Sequence, residues 1–165
     1  MEIIKQGEIV TSTWVHLSDE QPLPSEAADV TVSRARFEAE REALRAYPGR
    51  VGLRLAPADE LPGLEAELPK LPLVAIEFPR FTDGRGYSLA RLLRERMGYR
   101  GELRAVGNVL RDQLFYMHRC GFDAFELQAG KSVQEALAAF REFSVRYQAA
   151  ADDPRPLFRR RATGS

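Results

Sequence analysis

The chain has 165 residues, 44% hydrophobic and 29% charged, with 24 basic and 24 acidic residues that cancel to zero formal charge. That length suits one domain able to bury about two-thirds of the surface its unfolded form exposes. The charge balance excludes any general attraction for nucleic acid or an anionic membrane, and no apolar run approaches the ~20 residues of a spanning helix.

The N-terminal residues MEIIKQGEIV lack the basic start and sustained apolar core of a secretory signal. Cys120 is the single cysteine and cannot form an intramolecular bridge, which suits a reducing compartment and leads to an expectation of a cytoplasmic protein. His16 and His118 are about a hundred residues apart, an inventory that predicts no metal site.

In chain order, Glu2 to Lys5, a turn at Gln6 and Gly7, and Glu8 to Leu17 read as a β-hairpin rich in Ile, Val and Trp. Ser18 to Asp29, with Pro22 and Pro24, reads as a connector. Ser33 can cap a helix from Arg34 to about Tyr47, placing Phe37, Leu44 and Tyr47 near one face, and Pro48 and Gly49 end it.

From Val51 the pattern becomes strand–helix. Four strands are predicted at Val51 to Leu55, Leu73 to Phe78, Leu103 to Gly107 and Ala124 to Leu127. Prolines 57, 62, 69 and 72 leave room for only a short helix near Leu64 to Leu68. Later helices are expected at Ser88 to Met97, at Val109 to Cys120 capped by Asn108, and at Val133 to about Gln148 capped by Ser132. The fold expected is α/β: an N-terminal hairpin and helix, then four strand–helix units forming a mostly parallel open sheet over residues 1–150, with a loosely ordered tail at 151–165 that contains the basic run Arg159 to Arg161. The alternative is a half-barrel completed by dimerisation, since four units are half of an eight-strand barrel; a homo-oligomer is compatible with either.

Each predicted strand carries one charge among apolar neighbours: Arg54, Glu77, Arg104 and Glu126. Buried strands need partners for such charges. The four are expected to point to one face, and if sequential strands are neighbours they can pair as Arg, Glu, Arg, Glu along the C-terminal rim, where ligands of α/β sheets bind.

The most unusual stretch is FPRFTDGRGYS, residues 78–88. Arg80, Asp83, Gly84, Arg85 and Gly86 sit just before a helix start, where glycine backbone, helix dipole and guanidinium groups favour a phosphate, sulfate, sulfite or carboxylate. The plainer reading is an Asp–Gly turn with solvated arginines. Asn108, Asp112 and Lys131 extend the candidate ligand-binding rim. Gly130, Lys131 and Ser132 mimic the end of a P-loop, but Phe125 stands where the first glycine is required. No complete nucleotide fingerprint, cysteine pair or cluster motif is present, so the residues name no cofactor and no catalytic group.

Residues 78–127, FPRFTDGRGYSLARLLRERMGYRGELRAVGNVLRDQLFYMHRCGFDAFEL, closely resemble a bacterial family of unknown function whose members are commonly labelled as oxidoreductases of sulfite reduction. The resemblance implies a setting in assimilatory sulfur metabolism and contact with sulfite-reducing enzymes, either as an auxiliary oxidoreductase or as a non-catalytic anion-binding accessory. It brings no catalytic mechanism.

Overall fold

The computed structural model describes residues 1–80 and 82–151, without the side chains of 143–151. It contains β1 (Glu2–Lys5), β2 (Glu8–Thr11), β3 (Val15–His16), β4 (Val30–Ser33), α1 (Arg34–Ala39), α2 (Arg41–Ala46), β5 (Val51–Leu55), β6 (Leu73–Phe78), α3 (Gly84–Arg91), β7 (Glu102–Gly107), α4 (Leu114–Cys120), β8 (Ala124–Phe125) and α5 (Val133–Ala151). The expected tail and its Arg159 to Arg161 run lie outside the described residues, apart from Ala151.

The eight strands form one sheet in the order β2-β1-β8-β7-β6-β5-β4-β3. Strands β3 to β8 run parallel to their neighbours, while the hairpin is added antiparallel, β1 pairing with β8. The sheet is therefore mixed and is not built from four strand–helix units. Its extra strands come from two places. The run expected as one long second hairpin strand breaks after Thr11, and its far end, Val15–His16, pairs instead with Val30–Ser33, which had not been expected as a strand. A β-branched triplet, Val30, Thr31 and Val32, makes β4, and Ser33 then caps α1 by accepting from the Arg36 amide.

Four of the expected helices also depart from expectation. The helix expected from Arg34 to Tyr47 divides at Glu40 into α1 and α2. Asn108 caps no helix: the chain passes through a 3-10 turn at Arg111–Gln113, and α4 starts only at Leu114. Between β5 and β6 a single 3-10 turn, Leu68–Lys70, replaces the short helix, because Pro69 and Pro72 remove the amides that an α-helix would use. By contrast, α3 starts four residues earlier than expected, on an Asp83 cap, and runs into a π-helical turn at Leu92–Arg96.

A flat sheet of eight strands would hold its outer strands ~34 Å apart. Yet β2 and β3, the two outermost strands, are joined by only Ser12 to Trp14, a link that reaches at most ~14 Å. The sheet must curl, and it does so into a half-barrel whose edges approach each other. All eight strands come from one chain, so the strand count needs no second copy.

Curling splits the side chains into two sets by the period-2 alternation of strands. Val30, Val32, Leu53, Leu55, Val74, Ile76, Phe78, Leu103, Ala105 and Phe125 face outward and join Phe37, Leu44, Leu89, Leu93, Met117 and Phe140 of the helices in the main core. The inward set holds Ile3, Leu73, Ala75, Val106 and Ala124, which are buried without belonging to that core. Its apolar members are small or medium in size. Gly52 is one of them: a Cβ would lie 3.0 Å from the Leu73 carbonyl oxygen and 3.2 Å from the Trp14 ring.

Gly52→Val is accordingly expected to cost ~1–3 kcal/mol through overpacking. Urea unfolding should show a lower midpoint at unchanged slope.

Candidate functional site

The four strand charges lie on the inward face and are held in a line of hydrogen bonds that runs around the curl. Glu77 accepts from Arg54 Nε at 3.0 Å. Arg54 also donates to Thr31 Oγ1 at 3.0 Å and to the Leu17 carbonyl at 2.8 Å. Thr31 Oγ1 lies 2.7 Å from His16 Nδ1, and His16 Nε2 lies 2.8 Å from Glu126 Oε2. The same carboxylate oxygen accepts from Arg104 Nη1 at 2.8 Å, and Arg104 reaches Ser12 Oγ and Glu102 as well. Lys5 closes the far end on Glu102 at 2.8 Å. A carboxylate can only accept, so His16 Nε2 is the donor to Glu126.

Two pairs thus form, Arg54 with Glu77 and Arg104 with Glu126, and no bond joins Glu77 to Arg104. His16 supplies the missing step by crossing the seam from the opposite edge. Sequence reading singled out neither this histidine nor Thr31 and Glu102. The signal for Glu102 was available: spaced two residues from Arg104 on one strand, it must share its face. His16 was not accessible in this way, because its partner is 110 residues distant.

Arg104 is only 2% exposed, and its two acids are under a tenth exposed. Burial alone would raise the Glu126 carboxyl, but the hydrogen bonds and charges of His16 and Arg104 outweigh it and hold the group below the usual carboxylate range. Such a network is self-satisfied, and cutting it leaves buried charge. Arg104→Ala should cost ~3–5 kcal/mol, since Glu102 and Glu126 lose their common cation. The sign with pH follows from the lowered carboxyl. Glu126 stabilises the fold above its unfolded value of ~4.3, and that contribution is lost as pH falls through the lower native value. The stability difference between the wild type and Glu126→Gln, read by urea unfolding, should be widest near neutrality and close in acid.

The 78–88 loop is arranged differently from a ligand cradle. Asp83 caps α3, accepting from the Arg85 amide at 3.1 Å, and the Arg85 guanidinium folds back on the same carboxylate at 3.1 and 2.9 Å. The side-chain hydrogen bonds that Arg85 donates to Asp83 lower the Asp83 carboxyl and raise the Arg85 guanidinium. Arg85 remains 64% exposed, beside an open hollow it lines with Pro57, Gly84, Ser88 and Leu89. Arg80 is exposed and does not line it. Phe81, in the same loop, lies outside the described residues.

The two glycines have separate roles. Gly84 opens α3 with free space around it, whereas a Cβ on Gly86 would fall 2.3 Å from the Phe78 ring. Gly86 is thus where α3 presses on the sheet. Gly86→Ala should destabilise by ~1–3 kcal/mol, while Gly84→Ala should be neutral or stabilise by up to ~1 kcal/mol; thermal melts of the two variants give the contrast.

Asn108 is a strap. Its side-chain amide donates to the Pro79 carbonyl, its Oδ1 accepts from Gln128 Nε2 at 3.0 Å, and its backbone amide donates to Phe78 at 2.7 Å. It ties the ends of β6, β7 and β8 together.

Asp112 and Lys131 meet at a second place. A hollow of about 310 Å³ after β7 and β8 is lined by Leu110, Arg111, Asp112, Leu127, Lys131, Ser132, Glu135 and Ala136. Ser132 caps α5 there, accepting from the Glu135 amide at 3.1 Å. Arg111 touches Asp112 and Glu135 only at 3.9 and 4.0 Å, with all three side chains more than half exposed. Such pairs contribute little and leave the guanidinium available. Lys131 makes no ion pair among the described residues. Sequence reading chose Asp112 and not Arg111; the signal for Arg111 was its place one residue before Asp112, in the same strand-end loop.

Cys120 is buried and packs in the core, and the His118 ring stands edge-on to Phe140. Among the described residues no helix is long and apolar enough to cross a membrane, and no three His, Cys, Asp or Glu side chains are grouped to hold a metal ion.

Fold and site define an α/β protein with a mixed, half-barrel sheet, a polar belt inside its curl, and cation-lined hollows at its strand ends. The chain belongs to a family of bacterial proteins of unknown function (DUF934), whose model matches residues 52–158, well over half its length. No curated protein matches it.

Proposed function

We propose that this protein binds a small oxyanion in the hollow between Arg111, Lys131 and the start of α5, and serves as an auxiliary of assimilatory sulfite reduction. The observation that carries the reading is the convergence of two uncommitted cations with the N-terminus of a 19-residue helix on one concavity at the C-terminal ends of β7 and β8. Amides at such a helix end and the helix dipole favour an anion. A guanidinium adds planar donors, and Lys131 a mobile point charge. The Asp83–Arg85 pair makes the 78–88 loop the weaker site, since an anion would first have to displace a hydrogen-bonded carboxylate.

Sulfite as the anion comes from the setting that the sequence resemblance implies. Tetrahedral and pyramidal oxyanions share the chemistry that the hollow recognises, and a dock on sulfite-reducing enzymes would deliver or sense the ion there. Whether redox chemistry accompanies binding is decided by an absorbance spectrum of the purified protein: flavin, haem or iron–sulfur bands would make it an oxidoreductase, and their absence a binding accessory.

The direct test is thermal shift with sulfite, sulfate and phosphate. A ligand at 100 times its dissociation constant adds ~2.7 kcal/mol to apparent stability. Sulfite should raise the melting temperature of the wild type and of Arg85→Ala, and fail to raise that of Lys131→Ala or Arg111→Ala. A response lost in Arg85→Ala instead would move the site to the 78–88 loop.

A further inference from the structure

A large hollow lies at the other end of the strands, where α1 and α2 overhang the starts of β5 and β6. Its volume is about 610 Å³, within the ~300–1,000 Å³ of small-molecule sites. A lone oxyanion would occupy a small part of it. The floor is apolar, made by the edges of Phe37, Leu44 and Leu71 that the core leaves uncovered. One wall is the Tyr47 ring, held in place because its hydroxyl accepts from the Ala28 amide at 3.0 Å and donates to the Glu26 carbonyl at 3.2 Å. An aromatic wall fixed by two hydrogen bonds is a preorganised face for a planar group.

The rim is cationic. Arg41 and Arg45 share one acid, Glu67 Oε1, at 3.1 and 3.8 Å. Arg45 is 58% exposed, and its second partner, Glu42, is 90% exposed, so that contact is weak. Lys70 is exposed and makes no ion pair among the described residues. Arg50 also lines the hollow but is committed elsewhere, with two hydrogen bonds to Asp29 at 2.9 and 2.7 Å and its guanidinium 5.0 Å over the Trp14 ring. Three usable cations thus face a single carboxylate, an excess of two charges. A phosphate monoester carries about −1.5 to −2 at neutral pH. A carboxylate or sulfate ester supplies only half of that.

From this match of charge, size and apolar floor, we propose that the hollow binds a phosphate monoester on a planar organic body, a ligand class that includes nucleoside monophosphates. The phosphate sits among Arg41, Arg45 and Lys70, and the planar body lies against Tyr47 over Leu44 and Leu71. The site is separate from the oxyanion hollow, which follows the ends of β7 and β8, and does not depend on it.

Calorimetric titration of the full chain with AMP tests it, with adenosine and inorganic phosphate as the two halves of the probe. AMP should bind at least about tenfold more tightly than either half. Arg45→Ala and Lys70→Ala, both at exposed side chains and checked for an unchanged circular dichroism spectrum, should each weaken AMP by about fivefold or more, while Lys131→Ala should leave it unchanged. Absence of AMP binding up to about 5 mM, an AMP affinity no better than that of phosphate or of adenosine, or an affinity indifferent to both rim substitutions would each overturn the proposal.

Discussion

A three-residue link governs this molecule. Ser12 to Trp14 carry the chain from one edge of an eight-stranded sheet to the other, and no flat sheet permits that. The curl that results gives the sheet an inside, and an inside must be filled and its polar groups satisfied. Ile3, Leu73, Ala75, Val106 and Ala124 fill it. The belt from Glu77 through Arg54, Thr31, His16 and Glu126 to Arg104 satisfies it. Its step from His16 to Glu126 is also the bond that spans the seam. Curling brings those two groups together, and their bond in turn resists opening of the curl.

This arrangement separates stability from binding. The buried charges are spent on each other: Arg104 makes bonds to Glu102, Glu126 and Ser12, so a ligand drawing it away would leave two acids without their cation. Breaking one partner of such a network is costly, so the interior belongs to the fold. The weakly paired or unpaired cations that line the two hollows, Arg111 and Lys131 at one end and Arg45 and Lys70 at the other, are all at the surface. Exposed, weakly paired cations at the rim of a concavity can exchange water for a ligand at little cost.

Much of this was legible in the sequence where the signal is local. β5 and β6 appear at their expected residues because Gly and Pro punctuate continuous apolar runs. The caps at Ser33 and Ser132 form as expected because a cap needs only the next three residues. That the strand charges share a face follows from period-2 alternation. What could not be read were relations across long separations. The break after Thr11 is dictated by the pairing of the edge strand β3 with β4, which spans the whole Pro-containing connector. The seam partner of His16 is farther still. The division of candidate rim residues into a closed Asp83–Arg85 pair and an available Arg111–Lys131 hollow depends on side-chain directions that spacing does not encode.

The same reasoning explains why Gly84 and Gly86, adjacent in a motif that looks like a phosphate loop, part company. A glycine-rich stretch before a helix is ambiguous between two physical needs, close approach of a ligand to the backbone and close approach of the helix to its own sheet. At Gly86 the Phe78 ring already occupies the space a Cβ would take, so the helix uses that glycine to seat itself. With Arg85 turned onto Asp83 as well, this stretch contributes a well-anchored helix start. The open cationic surface belongs to the next two strand ends, where a 3-10 turn at Arg111–Gln113 lifts Arg111 toward the first turn of α5. That displacement of cationic surface by one β-unit is the reason the proposed oxyanion site is the Arg111–Lys131 hollow and not the loop whose composition advertised one.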